Sequence, residues 1–195
     1  MIKGQTLLTK EDFQTRSDLP SWLYVEYETF HQTVTDKTFP CFFGMSGELK
    51  GELRYTFISQ DDWSNLPSAL EQFLALFEKP DYKRHGLFVF VEPFEKEGAL
   101  DDYRKQFWDI LQYLHTMDQQ EWPETSPRDP DHYLWDFHFA GEPIFAFGNA
   151  PAYKLFELVN AEKKADVATP RSYADYTVSV EEAALPNGVT CTRKV

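Results

Sequence analysis

The chain is expected to fold as a single α+β domain: a mainly antiparallel sheet, covered by three amphipathic helices and followed by a weakly packed C-terminal tail. Three observations predict this. Apolar residues recur with helical spacing in three separate stretches, and short alternating or continuous apolar runs lie between them. The aromatic residues, 16% of the chain, are also unevenly spread: 29 fall in the first 155 residues and three (Phe156, Tyr173 and Tyr176) in the last 40. A core rich in large side chains is therefore expected over residues 1–155, centred on about 19–153, with 156–195 as a divergent tail.

Residues 1–18 are polar with few apolar anchors and are expected to form an arm. A helix is expected from Leu19: Pro20 suits a first turn, and Leu23, Tyr27, Phe30 and Val34 share one face. It must stop before Phe39-Pro40, because the residue before a proline is pushed to extended backbone. The stretch FPCFFGMSGELKGELRYTFI (39–58) then brings Cys41 into an aromatic surround, with a first strand near 42–46. Gly47 and Gly51 bracket a turn, and a second strand runs through 52–58. Asp61 and Asp62 are candidate caps for the next helix, whose stripe is Leu66, Leu70, Phe73, Leu74 and Phe77 and whose end is marked by Lys79-Pro80. GLFVFVEPF (86–94) is a short continuous apolar run, the signature of a strand buried on both faces.

The third helix is expected over 99–117, where Leu100, Tyr103, Phe107, Ile110, Leu111 and Leu114 share a face. Residues 118–131 hold three prolines and no periodicity, so they read as a long surface loop. Strands at 133–139 and 143–149 are joined by Ala140-Gly141-Glu142, short enough to be a hairpin turn. In the tail, 156–167 has helical character and YTVSV (176–180) is the one plausible strand.

Several function classes are disfavoured. A formal charge of −13 with no basic stripe argues against nucleic acid as a partner and favours a small cation over an anion. No window approaches the ~18 apolar residues of a membrane helix, and the opening MIKGQTLLTKEDF has no leader-like apolar run. The two cysteines, Cys41 and Cys191, lie far apart in dissimilar surroundings, so a reduced, cytoplasmic chain is expected.

Chemistry concentrates on Cys41, placed between an extended Phe-Pro step and a strand. Three readings fit such a thiol: a metal-ligating thiolate, a reactive nucleophile, or a small buried hydrophobe. His138 alternates with Trp135, Phe137 and Phe139 and is either a second ligand candidate or a hydrogen-bonded histidine.

The order helix, FPC, RYTF strand, helix, buried strand, helix and then WDFHFAGEPIFAFGNAP resembles the YqcI/YcgG family of bacterial proteins. That family is marked by an FPC motif after an amphipathic helix and by a W-x-F-x-F-x-G-E-P-x-F segment, here Phe39-Pro40-Cys41 and Trp135 to Phe145. Members include haem-dependent N-hydroxylases. The resemblance therefore implies a haem-dependent monooxygenase (an oxidoreductase) that hydroxylates a guanidino or amino nitrogen of an arginine-like substrate, fed by an unknown reductant. On that reading Cys41 is the axial ligand to the haem iron, with His138 as the alternative, and Phe39, Phe42 and Phe43 flank the porphyrin. Arg54, Lys83 and Arg84 are the cations available to the propionates, and Glu142 meets the cationic substrate. The chain departs from the family after Asn149-Ala150-Pro151, where an Arg-rich segment is replaced by AYKLFELVNAEKKADVATP, with no arginine before Arg171. Two rival readings follow: a haem- or ligand-binding protein without catalysis, and a cofactor-free thiol enzyme using Cys41.

Overall fold

A computed structural model describes residues 6–37, 39, 41–77, 86–96 and 98–149, together with the backbone of 177–182. Five helices and five strands occur among them: α1 (Asp12–Thr15), α2 (Ser21–Thr35), α3 (Phe42–Lys50), β1 (Arg54–Ile58), α4 (Leu66–Phe77), β2 (Leu87–Val91), α5 (Leu100–Met117), β3 (Phe137–Phe139), β4 (Glu142–Phe147) and β5 (Thr177–Glu182). The strands form one mixed sheet in the order β1-β2-β5-β4-β3. β1 and β2 run parallel through the α4 crossover, with Arg54 opposite Leu87 and Ile58 opposite Val91; the other three pairings are antiparallel. The α+β class therefore holds.

Side-chain alternation on β1 and β2 divides the core into two layers. On one face Tyr55, Phe57, Phe88 and Phe90 pack with Leu8, Phe13, Leu23, Tyr27 and Phe30 of the N-terminal segment and α2. On the other, Ile58, Leu87, Val89 and Val91 meet Leu66, Leu70 and Phe73 of α4 and Ile110, Leu111 and Leu114 of α5, together with Phe137, Phe139 and Ile144. Each such side chain removed from water stabilises the fold by about 1.5–3 kcal/mol. β2 thus meets apolar neighbours on both faces, as its unbroken apolar run requires.

Four expectations are corrected. Residues 6–18 are not a loose arm: Leu8 exchanges backbone hydrogen bonds with Tyr55 (2.7 and 2.9 Å), covering the outer edge of β1, and Phe13 stacks on Tyr27 at 3.8 Å. The strand expected near 42–46 is the start of helix α3. The strand expected at 133–139 is only Phe137–Phe139, because 129–135 close into turns: Asp131 N–H bonds Asp129 Oδ1 at 2.9 Å and Leu134 N–H bonds His132 Nδ1 at 3.2 Å. Finally, the tail joins the fold at 177–182, whose backbone lies in the centre of the sheet between β2 and β4. Scarcity of aromatics was the wrong measure there, since Thr177, Val178 and Val180 are β-branched and favour strands. The helix expected at 156–167 and the stop at Lys79-Pro80 lie outside the described residues.

Smaller features follow from local chemistry. α4 begins at Leu66, after Asp62, whose carboxylate instead accepts the Ser64 N–H (2.9 Å); hydrogen bonding to the Ser64 side chain, and then to its backbone, lowers the Asp62 pKa. The β3–β4 turn uses Ala140 and Gly141, both at positive φ (53° and 80°), so Glu142 is the first residue of β4. Asp118, at the end of α5, accepts the Ala140 N–H at 2.9 Å and ties that turn to the helix.

Candidate functional site

Cys41 stands at the N-cap of α3. Its backbone is extended (φ −99°, ψ 99°) and Sγ accepts a hydrogen bond from the Gly44 N–H at 3.3 Å. An oxygen-bearing side chain usually fills this position; a sulfur here sits in the field of the helix's unsatisfied N–H groups, which favours its thiolate. The helix ends at Gly51, whose φ of 70° only glycine adopts without strain. Gly51 N–H bonds Glu48 O (3.2 Å) and Glu52 N–H bonds Gly47 O (2.8 Å), closing the last turn.

The predicted aromatic surround is present in part. A Cβ on Gly44 would stand 3.4 Å from Phe39 Cε1 and 3.6 Å from Cys41 Sγ, so ring and sulfur lie on the same side of that glycine. Phe42 is 65% exposed and meets Phe43 edge-to-face at 6.1 Å. Arg54, the first residue of β1, is half-buried, and its Nη1 donates to Gly51 O (3.1 Å) and Leu53 O (2.8 Å), clasping the α3–β1 turn. Lys83 and Arg84 lie outside the described residues.

The residue that sequence reasoning missed is Glu48. It is fully buried on α3, seven positions after Cys41 and so about two turns along nearly the same face. Its carboxylate accepts from the Tyr27 hydroxyl (2.9 Å) and the Tyr55 hydroxyl and pairs with His31 Nδ1 (2.6 Å). Lys10 Nζ stands 3.5 Å from the carboxylate and donates to Glu48 O at 3.2 Å. Four parts of the chain (the N-terminal segment, α2, α3 and β1) thus converge on one charge. Burial, and then the Glu48 charge, push both tyrosine pKa values far up, so these hydroxyls remain donors. The network fixes α3, and with it Cys41, against α2 and the sheet. In GELKGEL an acidic residue between glycines looks like a surface position; the available signal was Tyr27 and His31, one helical turn apart.

His138 and Glu142 lie elsewhere. His138 Nδ1 bonds Asp136 O at 3.0 Å, and since a carbonyl only accepts, the proton is on Nδ1 and Nε2 remains an acceptor. Glu142 is exposed at the start of β4. β3 and β1 are opposite edges of the sheet, four strand spacings or roughly 19 Å apart.

A layered α+β domain carrying a cysteine at a helix N-terminus, above a buried carboxylate, is the class these features define. The chain belongs to the YqcI/YcgG family, whose model matches residues 30–158. It is 31% identical to YcgG of Bacillus subtilis (strain 168) over 71% of its length and 58% of that protein's. To YqcI of the same organism it is 26% identical, over 75% and 61%. A third relative, from Streptomyces lavendulae, bears the name "Putative N(omega)-hydroxy-L-arginine synthase DcsA" and is 26% identical over 73% of this chain and 56% of its own. The chain thus spans about three-fifths of the length of these relatives. No solved structure matches it.

Proposed function

We propose that the protein binds haem through Cys41 and hydroxylates a guanidino or amino nitrogen of an arginine-like substrate. The observation that carries this reading is the placement of Cys41 Sγ at the N-terminus of α3, half-buried and beside Phe39, with Phe42 turned to solvent. The name of the Streptomyces relative supports the reaction class. The donor is of the right kind for the group: Cys41 Sγ would supply the protein's ligand to the iron, and Phe39, on the same side of Gly44, would give apolar cover. When bound, a thiolate-ligated haem supplies oxygen activation, with electrons drawn from an external reductant.

The chain's own contribution is positional. The helix field holds Cys41 toward its thiolate, the Glu48 network sets the angle of α3, and Phe39, Phe42 and Phe43 give apolar cover. Arg54 lies at the end of α3 opposite Cys41 and is the cation offered to a propionate. His138 and Glu142, at the far edge of the sheet, are assigned no part.

The test is spectroscopic. Reduced, haem-supplied protein under carbon monoxide is expected to show the strongly red-shifted Soret band of a thiolate complex, and Cys41→Ala to lose it. Absence of haem binding, or a band unchanged in Cys41→Ala, refutes the reading; loss only in His138→Ala transfers the ligand to β3. With a reductant present, L-arginine is expected to yield an N-hydroxylated product.

A further inference from the structure

A pocket of about 410 Å³ opens between α5, the 118–136 loop and β3, within the range of about 300–1,000 Å³ typical of small-molecule sites. It lies on the sheet face that carries α5, whereas Glu48 ties α3, and with it Cys41, to Tyr27 and Tyr55 on the other. Three indoles wall the pocket. Trp135 stands 5.8 Å from Trp108 and 6.3 Å from Trp122, at 25° to the latter, so the three make one continuous aromatic surface beside Phe137. Trp122 is held in place: its N–H donates to Ser126 O (3.0 Å), and the rings of His115 and His138 meet it edge-on at 5.5 and 5.1 Å. The indole N–H groups of Trp108 and Trp135, by contrast, have no hydrogen-bond partner among the described residues. Arg128, exposed at the rim, makes no hydrogen bond or ion pair among them either. The acid in the wall, Asp109, is bridged to Lys105 at 2.5 Å.

This combination narrows the ligand. A continuous indole surface favours a flat ring system, and one that lies along two neighbouring indoles gains contact that a single ring leaves unused. Uncommitted N–H donors call for acceptors on the edge of that ring system, such as ring carbonyls. A small anion would enter against the field of a chain with formal charge −13, and a cation would meet Arg128 while the carboxylate in the wall is already paired; a neutral ligand incurs neither cost. We propose that this pocket binds a neutral fused-ring heteroaromatic compound bearing carbonyl acceptors, the chemistry of an isoalloxazine ring, stacked on the indoles with its carbonyls at the Trp108, Trp135 and Arg128 N–H groups. The chemistry differs from that of a guanidino or amino substrate and the place differs from Cys41, so the proposal does not rest on the haem reading.

The probes are riboflavin and lumichrome, neutral fused rings with two carbonyls that are respectively with and without a ribityl chain. Each is titrated into the full chain as purified and followed by calorimetry and by quenching of the probe's own emission. Saturable quenching, with one probe bound per chain, is expected. Nicotinamide, which keeps a carbonyl on a single ring, should bind about tenfold or more weakly. Trp108→Ala removes one stacking face and should weaken both probes about tenfold; Arg128→Ala removes a donor and should weaken them about two- to tenfold. Cys41→Ala should bind as the parent does, and excess L-arginine should leave the probe in place. No quenching and no heat with either probe overturns the proposal, as does binding unchanged in both Trp108→Ala and Arg128→Ala. Displacement by L-arginine, or loss of binding in Cys41→Ala, also overturns it, since the ligand would then share the substrate's site or lie on the other face. Arg128 is exposed and outside the core, so its variant keeps the test decisive even if an indole variant folds poorly. The Soret test of the haem reading is untouched by either result.

Discussion

A carboxylate taken out of water is costly unless its lone pairs are used, and Glu48 spends them on Tyr27, Tyr55 and His31. Tyr55→Phe removes one donor from a buried charge and is expected to cost about 1–3 kcal/mol in denaturant titrations at neutral pH. Glu48→Ala strands both hydroxyls and should cost more. The pH dependence follows from the direction of the tyrosine shifts. Both folded-state pKa values lie above the ordinary value of 10.0, so the folded protein holds these protons more tightly than the unfolded chain. Their stabilisation is complete below about pH 10 and declines as the pH rises beyond it. The alkaline loss should be shallower in Tyr55→Phe than in the parent. At this scale Cys41 was legible, because Phe-Pro dictates an extended approach and a lone cysteine among aromatics stands out. Glu48 was not, because its burial depends on contacts with residues 7, 17, 21 and 38 positions away.

At the scale of elements, α3 shows why 42–46 was misread. Phe42 and Phe43 favour strands, and three glycines within 44–51 weaken any helix. Capping at both ends overrides that preference, with Cys41 Sγ receiving one orphan N–H and Gly51 turning the chain at positive φ. Gly51→Ala should therefore destabilise by about 1–2 kcal/mol, the cost of a left-handed backbone with a Cβ, read as a lower Tm and denaturant midpoint. Gly47 is constrained differently: a Cβ there would fall 2.8 Å from Leu53 Cδ2. The longer helices were legible because a full apolar stripe repeats over three or more turns. β3 was overextended because Tyr133 and Leu134 look like strand residues, yet stand in a turn and are exposed.

For the whole molecule, the β1–β2 pair and the β3–β4 hairpin are joined within the sheet by β5, which pairs with β2 on one side and β4 on the other. Amide exchange at 177–182 is expected to be as slow as at 87–91; fast exchange there with protection kept in β2 would show that β5 is not held in the sheet. The strand itself was legible in YTVSV (176–180), but its central place was not, since that depends on the edges it fills rather than on its own apolar content.

The position of β5 also bears on how the protein is made. A ribosome releases β1, β2, β3 and β4 well before residues 177–182, so for that interval the nascent chain holds two half-sheets, each with an unpaired edge. The insertion that joins them spans some of the longest sequence separations in the fold and has to wait for a large loop to close. The strand synthesised last among those described is the one on which the sheet's continuity depends, and the exposed edges of β2 and β4 are what a chaperone, or a second nascent copy, would meet first.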